Sequence, residues 1–139
     1  MHLAPYILFN GNCAEAFKFY ERALGAKIQM MMTYGQSPEA AKVPAAMHDK
    51  VIHVSLSLGN FTLMGSDCPP DRYAKPQGFS LSVSPEQPAE AEQIFNALLE
   101  GGSVIMPLQS TFWSAEFGML TDKYGIGWMV NCTQAAQVA

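Results

Sequence analysis

Charge is scarce in this chain. Only 14% of its 139 residues are Asp, Glu, Lys or Arg, against about a quarter in ordinary globular domains. Eight cations face twelve acids, the net charge is −4, and no cluster of Lys or Arg stands out. That balance excludes the electrostatic footprint of a nucleic-acid binder and attraction to an anionic membrane surface, so neither partner is expected. Cysteine is also sparse. Cys13, Cys68 and Cys132 cannot all pair within the chain, and their spacing fits neither a zinc site nor a disulfide framework. No apolar run approaches the ~20 residues of a membrane span. Met1-His2-Leu3 leads straight into structured-looking sequence without the basic and apolar regions of a secretory signal, so a cytoplasmic protein is expected. No Gly-x-Gly-x-x-Gly follows a strand-like run, which leaves a nucleotide-type cofactor without a cradle. No cofactor is expected.

Methionine, by contrast, is abundant, with nine residues. Together with the low charge, this points to apolar surface that meets a second copy of the chain, and a homodimer is expected.

The chain also repeats itself. Ala14-Glu15-Ala16-Phe17 through Leu24-Gly25 returns in altered form as Ala89-Glu90-Ala91-Glu92 through Leu99-Glu100, 75 residues on and followed by Gly101-Gly102. Lys27-Ile28-Gln29-Met30 then finds its partner in Ser103-Val104-Ile105-Met106. One supersecondary unit used twice accounts for this pattern. Neither copy alone would cover the apolar face of its sheet, so a single domain of two modules is expected, about 1–67 and 78–133.

Each module reads β-α-β-β-β. Tyr6-Ile7-Leu8-Phe9 is a short aromatic strand. Asn12 is placed to cap a helix with Glu15 reaching back, Cys13, Ala16, Phe17, Tyr20 and Leu24 follow helical spacing, and Gly25 is a natural stop. Residues 26–34 read as a strand. From 51 to 58, Ile52, Val54, Leu56 and Leu58 alternate with Val51, His53, Ser55 and Ser57, and Gly59-Asn60 turns the chain into a partner strand from Phe61 to Ser66. Residues 67–78 form the linker. In the second module Phe79, Leu81 and Val83 alternate with Ser80, Ser82 and Ser84. A helix with Ala91, Ile94, Phe95 and Leu98 on one face then stops at Gly101-Gly102. Strands near 103–110, 114–121 and 126–132 complete the module, with a turn at Asp122-Lys123-Tyr124-Gly125. The polar, alanine-rich tail from Thr133 is expected to fray. The fold class is α+β: tandem βαβββ modules forming a curved mixed sheet.

Two such units in tandem resemble the glyoxalase, bleomycin-resistance and extradiol-dioxygenase superfamily, the vicinal oxygen chelate proteins. A closer match rests on particular residues. Pro5-Tyr6-Ile7-Leu8-Phe9-Asn10-Gly11-Asn12-Cys13, Phe19-Tyr20 and Leu24-Gly25 are similar to the opening of PhnB-like proteins. Thr111-Phe112-Trp113, Phe117-Gly118 and the run Thr121-Asp122-Lys123-Tyr124-Gly125 to Trp128-Met129-Val130-Asn131 are similar to their closing signature. The resemblance spans nearly the whole chain. It implies the fold without assigning a reaction.

In metal-dependent members of that superfamily, His and Glu from four strands hold a divalent ion in each cup, leaving positions open for substrate oxygens. The resemblance places those four positions at Pro5, near Met64, at Gly78 or Phe79, and at Met129. None supplies a suitable donor, so no metal site is expected. Strand alternation puts His53, Ser55, Ser57, Ser80 and Ser82 on the cup side, together with Phe9, Thr62, Met64, Met129 and Asn131, and Trp113 can cover them as a lid. Such a wall of methionine and phenylalanine, dotted with hydroxyls, an amide and an imidazole, suits a small and partly apolar ligand. The expected function is binding of a small organic molecule in a metal-free cup. The alternative is an enzyme of the same superfamily, of isomerase, lyase or dioxygenase type, with His53 and Glu116 as acid–base candidates or a metal at displaced positions.

Overall fold

The computed structural model describes residues 1–133. The fraying expected of the tail concerns residues beyond Thr133, outside the described ones. The chain divides into two compact units, Met1–Ala74 and a second that begins at Lys75. No helix among the described residues is long and apolar enough to cross a membrane.

In the first unit, strand β1 (Tyr6–Phe9) leads into helix α1 (Cys13–Leu24), followed by strands β2 (Lys27–Thr33), β3 (Val51–Leu58) and β4 (Phe61–Asp67). The sheet order is β1-β4-β3-β2. β1 runs parallel to β4, and the other neighbours are antiparallel. The second unit repeats this with β5 (Leu81–Val83), α2 (Pro88–Leu99), β6 (Ser103–Gln109), β7 (Glu116–Thr121) and β8 (Gly127–Cys132), ordered β5-β8-β7-β6. Mixed four-stranded sheets, each with one helix, confirm the α+β class.

Each helix buries one stripe. On α1, Cys13, Ala16, Phe17, Phe19 and Tyr20 are buried, and the helix ends at Gly25, whose φ of 67° is the left-handed geometry that glycine adopts without cost. Phe17 meets Phe9 and Tyr20 edge-on, at ring separations of 5.9 and 5.7 Å. On α2, Ala91, Ile94, Phe95 and Leu98 turn inward. Burying one such aromatic or leucine is worth about 1.5–3 kcal/mol.

The same register pair sets the helix-to-sheet distance in both units. Val54 pairs with Gly65 in the first, and Gly118 pairs with Val130 in the second. A Cβ on Gly65 would lie 2.7 Å from the Phe17 ring, and one on Gly118 would lie 2.7 Å from the Phe95 ring. One glycine and one valine thus share each position. The glycine makes room for the helix aromatic, and the valine fills what remains.

The start of α1 departs from expectation. Asn12 occupies the N-cap but makes no side-chain capping bond. The buried carboxylate of Asp67, at the end of β4, accepts instead from Gly11 N (2.9 Å), Cys13 N (3.0 Å) and Val51 N (2.9 Å). Burial, together with the charge of Asp67, pushes the Cys13 thiol well above its ordinary value, so the helix dipole does not activate it.

Tyr34 donates its hydroxyl to the backbone oxygen of Asp67 at 2.7 Å, and burial first, then the Asp67 charge, hold its pKa above the ordinary 10.0. The folded state therefore retains a proton that the unfolded chain releases. The resulting contribution to stability is complete below about pH 10 and declines as pH rises further. Tyr34→Phe should flatten the alkaline fall in stability, measured as denaturation midpoints between pH 9 and 11.

Candidate functional site

The face of each sheet away from its helix is where a ligand could lie. In the first unit Gly65 faces α1, as do its register partners Ile7 and Val54, so the neighbouring residues take the other side. That side carries one continuous row across four strands: Tyr6, Met64, Ser55 and Met30. His53 lies beside it, paired with Met32, and Ser57 is paired with Thr62. In the second unit the equivalent row is Ser82, Met129, Met119 and Met106. Next to it Phe117 pairs with Asn131. Six of the chain's nine methionines therefore stand on these two open faces. Met64 and Met129 hold corresponding places in the two units.

Polar groups punctuate both rows. Tyr6 Oη and His53 Nδ1 share a hydrogen bond of 3.1 Å, with the rings stacked at 5.6 Å; the imidazole tautomer decides which group donates. Gln29 Nε2 donates to Ser57 Oγ at 2.8 Å. In the second unit Trp113 lies edge-on to Phe117 at 5.4 Å and itself meets Phe112 at 4.7 Å. Trp113 remains 46% exposed while Phe117 beneath it is 7% exposed, so the indole covers part of that face. Asn131 Oδ1 is buried and accepts no hydrogen bond among the described residues, which leaves it able to accept one from a ligand donor.

His53, Ser55 and Met64 therefore share one open face, and Ser82, Met129 and Asn131 share the other. Three expectations need correction. Phe9 does not face the open side: its alternation with Leu8 points it at α1, where it meets Phe17 and is 2% exposed. Glu116 does not either. Its register partner is the buried Cys132, and it shares a strand face with Gly118 and Leu120, which α2 covers. Ser80 precedes the sheet, because β5 begins only at Leu81, and its Oγ lies beside Gly127. Phe79 for the same reason is not held against α2 and stays 49% exposed. Sequence alternation missed Tyr6 as the partner of His53. The contact depends on the parallel β1–β4 register, which puts Tyr6 opposite Met64 and has no local sequence pattern.

The donors do not fit a hard divalent cation. The two rows offer thioethers, hydroxyls and a phenol, with one imidazole alongside, whereas such ions need several carboxylates or imidazoles. Among the described residues no group of three or more His, Cys, Asp or Glu lies close enough to share an ion.

A family model described as 3-demethylubiquinone-9 3-methyltransferase matches residues 1–131. The chain belongs to this PhnB-like family. It is 34% identical to protein YjdN of Escherichia coli, over 94% of this chain and 95% of that one. The crystal structure of protein PA1353 from Pseudomonas aeruginosa is 49% identical and superposes with a TM-score of 0.87 over 95% and 97% of the two chains. The PhnB protein from Bacillus cereus is 26% identical, with a TM-score of 0.79 over 95% and 99%. At lower identity the fold is shared with the fosfomycin resistance protein FosX from Mesorhizobium loti, 6% identical over 94% of this chain and 90% of that one. It is shared too with a glyoxylase/bleomycin resistance protein/dioxygenase domain from a Frankia species, 13% identical over 95% and 94%; the TM-score is 0.62 in both cases. The PhnB-like chain thus has the glyoxalase/bleomycin-resistance fold.

Proposed function

We propose that this PhnB-like protein binds a small, partly apolar organic molecule on its open sheet faces without using a metal. The observation that carries the reading is the pair of matching rows, in which Met64 and Met129 hold corresponding places; the resemblance puts the metal-ligand positions of metal-dependent members at or near these two. Thioethers are flexible and polarisable and adapt to an irregular apolar surface. Ser55, Ser82 and Asn131 supply a few fixed polar contacts. Methyl transfer forms no part of this reading, because no glycine-rich turn follows a strand to hold a nucleotide-type cofactor.

The test begins with protein purified from its native host and denatured by heat. A released organic compound, identified by mass spectrometry and added back, should shift the ε-methyl signals of Met64 and Met129 in the NMR spectrum. Absence of any compound, or shifts confined to other methionines, would overturn the reading.

A second reading is favoured by one contact, the Tyr6–His53 hydrogen bond, which gives the imidazole a phenol partner suited to proton transfer. If the bound compound is turned over, His53→Ala should lower kcat by about a hundredfold or more while binding persists. Unchanged turnover would remove His53 from the chemistry.

We also propose a homodimer, on the grounds of low charge and exposed apolar side chains such as Phe112 (95%), Phe61 (78%) and Ile105 (59%). Light scattering at micromolar concentration should give twice the 15.2 kDa chain mass; a monomeric mass would refute it.

A further inference from the structure

Charge is rare in this chain, yet three of its eight cations line a single cleft. Lys42, Lys50 and Arg72 surround a space of about 820 Å³ in the first unit. It lies beyond the carboxyl ends of the parallel strands β1 and β4, between the β1–α1 connection and the 3-10 turns at 40–47 and 70–72. Its volume falls in the range of small-molecule sites. Val43, Pro44, Met47 and Pro69 give it an apolar wall. It shares no residue with the open-face rows.

The amides of Gly11 and Cys13, at the entry to α1, are already taken by the Asp67 carboxylate. The side chains are what remain. Lys50 is anchored by one bond, Nζ to Gly11 O at 3.3 Å, and an ammonium has two further donors to offer. Arg72 belongs to the turn Pro70–Arg72 and brings a planar fork that matches a carboxylate or a phosphate. Lys42 is engaged by Glu39 at 3.1 Å, and Asp71 adds one negative charge to the rim. Behind Gly11 the Asp67 carboxylate is already occupied by backbone amides, so among the described residues Lys50 and Arg72 are the cations that face the space without a carboxylate contact of their own.

We propose that this cleft is a second binding site, for a small organic anion with a carboxylate or phosphate group on a compact apolar body. Lys50 and Arg72 hold the charged group, and the Val43–Met47 wall takes the body. This site stands independently of the open-face reading.

Amide NMR titrations with benzoate alone and with inorganic phosphate alone test it. Saturable shifts at Gly11, Lys50 and Arg72, with His53 and Ser55 unmoved, are expected from at least one probe. Benzoate as the better probe assigns a carboxylate ligand, and phosphate as the better probe assigns a phosphorylated one. Arg72→Gln, on an exposed turn, should weaken binding about tenfold, and Lys50→Gln by a similar factor. The proposal is overturned if neither probe gives saturable shifts there, if Arg72→Gln binds as the parent does, or if the shifts fall on the open face instead.

Discussion

Asp67→Ala should destabilise the first unit by about 3 kcal/mol or more, the loss of several hydrogen bonds to a buried charged acceptor. Asp67 is 1% exposed, and its carboxylate accepts from three backbone N–H groups in two separate segments. Gly11 and Cys13 open α1, and Val51 opens β3. Alanine leaves Cys13 N and Val51 N buried without that acceptor, and Gly11 N part-buried. For a chain of this size that corresponds to a fall in Tm of roughly 10 °C. Asp67→Asn keeps one acceptor but turns N–H donors toward the other amides, so it should fall between the parent and alanine. Thermal unfolding followed by circular dichroism checks the order. An alanine variant within 2 °C of the parent would show that Asp67 does not tie these segments together.

Gly65→Val should be comparably damaging, at about 3 kcal/mol, for a steric reason. The new Cβ would sit 2.7 Å from the Phe17 ring and 2.8 Å from the Ile7 carbonyl oxygen. The ring edge and the backbone are both held by packing, so neither can yield cheaply. Gly59→Ala is the control. Nothing lies within 4 Å of its would-be Cβ, but its φ is +60°. Only backbone strain of about 1 kcal/mol is expected there. Chemical denaturation of both variants separates crowding from strain. If the two cost the same, the glycine–valine exchange between the units has no packing meaning.

Most of the fold was legible because periodicity and turn chemistry agreed. The 75-residue echo, the apolar stripes of α1 and α2, and the glycine stops all appear where the sequence places them. Open-face residues followed from alternation wherever the strand was long, as with His53 and Ser55 on β3. Errors came where strands were short or ended. β5 has three residues, so Phe79 and Ser80 fall outside it. β1 has only four residues, too few for alternation alone to say whether Leu8 or Phe9 faces α1; the contact of Phe9 with Phe17 decides it. Glu116, the first residue of β7, stands out in sequence by its charge, whereas its register with Cys132 decides its face. Asp67 looked like the first residue of a linker, because a carboxylate that caps a helix 54 residues away leaves no local pattern. The cationic cleft was hidden likewise, since Lys42, Lys50 and Arg72 are scattered in sequence and meet only through the fold.

The central claim is that the open faces receive an organic molecule through thioether and hydroxyl contacts, with no metal between. Elemental analysis of ligand-bearing protein, after exposure to zinc, nickel and iron salts and desalting, tests it most directly. Far less than one ion per chain is expected while the organic molecule stays bound. About one tightly held ion per chain, lost together with the organic molecule on chelation, would contradict it.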